Sequence, residues 1–227
     1  PWDDDIDVSM LRKDYDKFLK VQEKELKHEK YVIEAMDISD DCWRLYAKLK
    51  RKNTTYSDIA SNRSIDEQQI WIDIFPIDNI KNNNFFSKLY YMRVYILKIL
   101  MMYKSGYIKS SNDKRKNKLV KYIKIISKFY NINSLKRRLN KYIQKYNNLD
   151  TDYLACFPGV YARKEIVKKE YYYNGIEEHL FENNNFYILK EYDKYLTHFY
   201  GDYMQLPPAE QRIGHHYTNT IKFPNEK

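Results

Sequence analysis

The run Ile70-Trp71-Ile72-Asp73-Ile74-Phe75-Pro76 constrains this chain more than any other stretch, because apolar residues flank a single carboxylate on both sides. A run so short, apolar and β-branched reads as a buried strand. Pro76 is expected to end it, since proline cannot donate to a β-ladder. An unpaired carboxylate is costly to bury, so Asp73 needs either a cationic partner or a metal ion. The run alone leaves both readings open.

A second acidic feature stands at the start, in Pro1-Trp2-Asp3-Asp4-Asp5-Ile6-Asp7-Val8-Ser9-Met10. If residues 5 to 9 enter a strand, Asp5 and Asp7 point to one face, Asp3 extends their row, and Asp4 points away. Neighbouring like charges repel unless a cation lies between them. Hard oxygen donors at this spacing suit Mg²⁺ or Mn²⁺, ions that bridge carboxylates to phosphates. An acidic turn that merely starts a strand accounts for the cluster equally well.

Charge divides the chain. The formal net charge is +9, but 18 of the 40 basic residues and only two acids, Asp113 and Asp150, fall between Lys81 and Asp150. That segment carries +16 and the remainder −7, so the basicity is local and the carboxylates sit on a mildly acidic body. With 227 residues and 43% hydrophobic content, the chain suits one large domain, or one domain with a substantial insertion. Cys42 and Cys156 have no zinc-type spacing, which predicts reduced thiols. No run approaches the roughly 18 uncharged apolar residues of a membrane span.

Between these features, Leu11 to Glu29 shows helical spacing (Leu11, Tyr15, Phe18, Leu19, Leu26), and Tyr31 to Met36 reads as a strand. Ser39-Asp40-Asp41 and Ser61-Asn62-Arg63 read as polar turns, with Asp40 and Asp41 solvated. Partial alternation over Arg44–Tyr56 puts Arg44, Lys48 and Lys50 on one parity. They face either a phosphate or solvent. Asp78, beyond the proline, is expected to cap or orient the following loop.

Phe85–Tyr103 and Lys114–Asn147 read as helices, the second broken near Asn131-Ile132-Asn133. Their lysines form either a solvated face or, with the apolar positions, a surface for anionic lipid headgroups across 85–147. No nucleic-acid motif accompanies the patch, so no nucleic-acid partner is expected. Tyr161–Tyr173 reads as β-prone before an Asn174-Gly175 turn, and Glu191–Tyr200 as a helix ended by Gly201. His215 and His216 lie in a polar tail and have no cysteine partners for a zinc site.

Three blocks in order carry a resemblance: Pro1-Trp2-Asp3-Asp4-Asp5-Ile6-Asp7-Val8 with Met10-Leu11-Arg12-Lys13-Asp14-Tyr15; Trp71-Ile72-Asp73-Ile74-Phe75-Pro76-Ile77-Asp78; and Tyr200-Gly201-Asp202-Tyr203-Met204 through Leu206-Pro207-Pro208 to His215-His216. Together they resemble the LicD family of phosphotransferases, which is similar to the fukutin-related proteins. The resemblance spans nearly the whole chain and is weakest in the middle. It implies an α+β fold with a nucleotidyltransferase-like small mixed sheet and a basic helical insertion. The expected division is a catalytic core over 1–80, the insertion over 81–150, and a C-terminal part over 151–227 that completes the catalytic domain. Family members normally carry a segment before the Pro-Trp, so an N-terminally truncated chain is expected.

The resemblance also implies the chemistry: transfer of phosphocholine, or a related phospho-alcohol, from CDP-choline or a similar donor to a cell-surface glycan, releasing CMP. Lipopolysaccharide and teichoic acid are the acceptors of this kind. Asp5, Asp7 and Asp73 would be catalytic and, with Asp3, hold Mg²⁺ or Mn²⁺. Asp73 would be the third ligand or the base. Arg44, Lys48, Lys50, His215 and His216 would contact the donor, and Trp43 or Trp71 could face a choline. The enzyme would be cytoplasmic, at the inner face of the bacterial membrane, where a lipid-linked acceptor can be met. Two other readings compete: a non-catalytic basic helical protein binding anionic surfaces, and a nucleotidyltransferase that leaves the nucleotide on its target.

Overall fold

The computed structural model describes residues 5–26, 28–38, 42–58, 69–81, 85–106, 114–212 and 218–224. In chain order the elements are β1 (Asp7–Leu11), α1 (Arg12–Glu25), β2 (Tyr31–Glu34), β3 (Ala47–Arg51), β4 (Thr55–Asp58), β5 (Trp71–Ile80), α2 (Phe85–Lys104), α3 (Lys114–Ser127) and α4 (Ile132–Ile143). Then come β6 (Tyr153–Ala155), β7 (Ile166–Lys168), α5 (Glu170–Tyr173), β8 (Ile176–Phe181), β9 (Asn184–Leu189), α6 (Tyr192–Tyr200) and β10 (Thr218–Lys222). The α+β class holds, and every strand pair with a described register is antiparallel. The chain forms two compact units, Pro1–Pro76 with Tyr200–Lys227, and Ile77–Phe199.

In the first unit, β2, β3 and the start of β5 lie side by side, and β1 also pairs with β5. Strand β3, Ala47-Lys48-Leu49-Lys50-Arg51, shows why this sheet has two unlike faces. Ala47 and Leu49 fall on the same side as Ile33, Ile72 and Ile74. On that side α1 packs Tyr15 and Leu19, one helical turn apart, into a core with Ile33, Ala35, Ala47 and Ile74. Burying a side chain such as Leu19 there stabilises the fold by roughly 2 kcal/mol. Lys48 and Lys50 point to the opposite side. A second, two-stranded sheet pairs β4 with β10.

Pro76 does not end its strand. It falls between the stretch paired with β3, Trp71–Ile74, and the stretch paired with β6, Asp78–Ile80. Those two ladders therefore ask no donor of it. Asp78 is consequently a strand residue, not a loop cap. It is fully buried, and Asn147 Nδ2 donates to its Oδ1 at 2.6 Å. The Asn147 side-chain carbonyl accepts from the Asn79 N–H at 2.7 Å, so one amide ties β5 twice to the turn after α4.

In the second unit, α2, α3 and α4 share a core of Leu100, Ile123 and Leu135. The expected break between α3 and α4 is present: Asn131 is the N-cap of α4, its side chain accepting from the Ser134 N–H at 2.6 Å. The β-prone reading of Tyr161–Tyr173 needs correction. That stretch holds a 3-10 turn, the three-residue β7 and the short α5, while the strand pair β8–β9 lies beyond Asn174-Gly175. Its glutamates and asparagines masked a solvent-exposed hairpin, whose turn places Glu182 at φ +52°.

Candidate active site

The charged face of the first unit's sheet is built by register. Glu34 of β2 lies opposite Lys48 of β3, which lies opposite Asp73 of β5, so the three form one cross-strand row. Lys50 is two residues along β3 from Lys48, on the same side. Arg44 precedes β3, in the segment that leads into it.

Sequence parity therefore placed Lys48 and Lys50 correctly, but not facing solvent. Arg44, Lys48 and Lys50 are buried, at 4%, 8% and 8% exposure. Each buried cation has a carboxylate partner, as its desolvation requires. Lys48 Nζ donates to Asp73 Oδ1 at 2.7 Å. Arg44 and Lys50 both donate to Glu34, one to each carboxylate oxygen. Glu34 escaped notice in the sequence because a four-residue strand with one terminal acid carries little signal. Its parity, matched to Ile33 on the core side, was the available clue.

Aromatic rings close around the row. Lys48 Nζ lies 4.0 Å from the centroid of the Trp71 ring and 5.6 Å from that of Tyr46. Tyr46 itself leans on Phe75 at 4.7 Å, and Tyr56 of β4 meets Trp71 edge-on at 5.0 Å. Arg44 lies over Trp43 at 5.4 Å. Both tryptophans considered for a choline thus already carry a cation of the protein.

Burial governs the titration of this row. It pushes Lys48 down to about 8, with Asp73 opposing that shift. It pushes the Asp73 carboxyl up, against the pull of Lys48, and Asp5 raises Asp73 further. Glu34 is raised by burial too, but Lys50 and Arg44 outweigh that and hold it below the ordinary range.

Asp5, from the acidic start of the chain, reaches the field of Asp73. Asp7 opens β1, a strand adjoining β5. Asp5 and Asp7 are both exposed. Among the described residues, no group of three or more His, Cys, Asp and Glu is close enough to hold a metal ion. The pair that does interact, Asp5 and Asp73, offers hard oxygen donors whose mutual repulsion a divalent cation would relieve, so the donor chemistry fits Mg²⁺ or Mn²⁺. Asp3, Asp40, Asp41, His215, His216 and the Ser61-Asn62-Arg63 turn lie outside the described residues.

Other polar features belong to the second unit and look structural. An open groove of about 560 Å³ is lined by Asp150, Asp152, Lys168, Lys169, Glu170 and Tyr173, among others. Its charges pair with one another, Lys169 with Asp150 and Lys168 with Glu170. The Lys98 ammonium donates to the carbonyls of Phe157, Pro158 and Gly159, which pins that turn to α2. The buried Glu165 carboxylate accepts from the Tyr161 N–H at 2.9 Å and fills the space a side chain at Gly159 would need.

No family model and no solved structure matches the chain. It is 30% identical over 219 residues to the lipopolysaccharide cholinephosphotransferase LicD of Haemophilus influenzae, an alignment covering 95% of this chain and 79% of that protein. Similarity of that extent makes the chain a member of the LicD family.

Proposed function

We propose that this protein is a divalent-metal-dependent cholinephosphotransferase that moves phosphocholine from CDP-choline to a hydroxyl of a cell-surface glycan. Lipopolysaccharide is the acceptor named for its Haemophilus relative, and that relationship carries the choice of reaction. The row Glu34–Lys48–Asp73 carries the choice of site. We read the sheet as nucleotidyltransferase-like, with the carboxylates on its charged face.

In this reading the donor diphosphate lies along Arg44, Lys48 and Lys50, which outnumber Glu34 and Asp73 by one charge. Glu34 holds Arg44 and Lys50 in place, so their heads are oriented before the donor arrives. Asp5 and Asp73 would hold the divalent cation, with donor phosphate oxygens and water completing its shell. When bound, it neutralises the diphosphate and stabilises charge on the leaving oxygen. The acceptor hydroxyl oxygen attacks the phosphorus that bears choline, the bond from that phosphorus to the bridging oxygen breaks, and CMP leaves. If Asp5 alone of this pair carries the cation, Asp73 would instead serve as the base for the hydroxyl proton, burial raising its proton affinity. Lys48 shields the developing charge and then resumes its pairing with Asp73.

The test follows CMP release from CDP-choline in the presence of Mg²⁺ and lipopolysaccharide. Asp73→Asn keeps the shape and is expected to lower the rate by about 100-fold or more. Circular dichroism would verify its fold. A rate within about threefold of wild type would remove Asp73 from the chemistry. Turnover with CDP-ribitol or CDP-glycerol but not CDP-choline would keep the site and change the alcohol.

A further inference from the structure

Helices α2 and α3 bury one side in the second unit's helical core and leave another side apolar and uncovered. On α2, Phe85, Leu89, Met92 and Ile96 recur at steps of four, three and four, forming one narrow stripe. All four are exposed, Phe85 at 67%. Lys88 and Arg93 are exposed too, and at 100° per residue they flank the stripe on either side.

Helix α3 repeats the pattern with more charge. Ile123 and Ser127 face inward and are buried. Leu119, Tyr122, Ile125 and Ile126 occupy a separate, exposed arc, continued by Phe129 in the turn beyond at 83% exposure. Lys121, Lys124 and Lys128, all exposed, fill the arc between, while the exposed Lys118 falls within the apolar arc. The helix thus has three sides: one packed, one apolar and open, one cationic. Scattered exposed apolar residues need no explanation, but ordered stripes on two packed helices do.

We propose that α2 and α3 form a docking surface for an anionic lipid bilayer, lying in its interface without crossing it. Charge selects the occupant. A segment carrying +16 repels a second copy of itself, which argues against self-association through this face. A nucleic acid would use the lysines but has no use for Leu119, Ile125 and Ile126. An anionic bilayer takes both: apolar side chains enter the acyl boundary while lysine stems lie along it with their ammonium groups among headgroup phosphates. No helix among the described residues is long and apolar enough to span. The inference rests on exposure, spacing and charge, and is independent of the proposed reaction.

Vesicle flotation tests it, with purified protein against phosphatidylcholine alone and phosphatidylcholine containing about 30% phosphatidylglycerol. Binding is expected only to the anionic vesicles. Lys121→Gln with Lys128→Gln is expected to weaken it about 25-fold, roughly fivefold per lysine near the surface. Leu119→Ser with Ile126→Ser is expected to weaken it at least tenfold. Both variants change exposed positions, and circular dichroism checks their helicity. Three results would overturn the proposal: equal binding to neutral vesicles; binding that needs the lysines but ignores Leu119 and Ile126, which marks a mere polyanion patch; or no vesicle binding by a protein that sediments as a dimer until Leu119 and Ile126 are replaced.

Discussion

The cations of the first unit's sheet and those of the second unit's helices obey opposite rules. Arg44, Lys48 and Lys50 are few, buried and each matched to a carboxylate. Lys118, Lys121 and Lys124 of α3 are exposed, in a stretch of chain from Lys81 to Asp150 with 18 basic residues and two acids. Desolvation explains the difference. A buried charge without a partner costs several kcal/mol, so its position and orientation are fixed by the groups that satisfy it. An exposed one is held by water and acts collectively over about a Debye length, roughly 8 Å at physiological salt. Fixed charges suit recognition of one diphosphate. A diffuse field suits a surface.

Glu34 is where that contrast breaks with the largest effect. Glu34→Gln removes the common partner of two buried cations, and is expected to destabilise the protein by about 2–3 kcal/mol at neutral pH, less than a fully buried pair because Glu34 is partly exposed. Urea unfolding measures it. The sign with pH follows from the lowered pKa of Glu34. Its contribution is present above the ordinary glutamate pKa and fades as pH falls through the lower, folded-state value. Wild type and variant should therefore converge in acid. A constant gap down to low pH would mean that the carboxylate charge is not what stabilises the wild type.

A smaller effect sharpens the same contrast. With its pKa pushed down to about 8, Lys48 loses its charge in mildly alkaline solution. The charged form exists below that value. KM for the donor is expected to rise severalfold as pH passes above 8, and Lys48→Arg, which stays protonated, is expected to abolish that rise. An unchanged alkaline limb in Lys48→Arg would assign it to another group.

Much of this could be read from the residues, wherever a physical cost was concentrated in a few of them. Asp73 stood out because an isolated carboxylate in an apolar run must be satisfied. The sequence left an ion pair and a metal open, and the pair with Lys48 is present. Strand parity puts Lys48 and Lys50 on one side, and the break expected near Asn131-Ile132-Asn133 falls where α4 begins. Features that depend on distant partners were not legible. Pro76 can stay inside β5 only because β3 and β6 pair on either side of it. Glu34 matters only because β3 and the segment leading into it bring Lys50 and Arg44 to it. Burial of the three cations was equally hidden, since alternation alone cannot say which side of a sheet is covered.

The proposed donor and metal site lies on the charged sheet face of the first unit. Calorimetric titration of CDP-choline, with Mg²⁺ and again with EDTA, tests it most directly when wild type is compared with Asp5→Asn. The account predicts binding heat in Mg²⁺ that disappears in EDTA and is weakened at least tenfold by Asp5→Asn. Equal affinity in EDTA, or in a folded Asp5→Asn protein, would contradict it and move the donor away from Asp5 and Asp73.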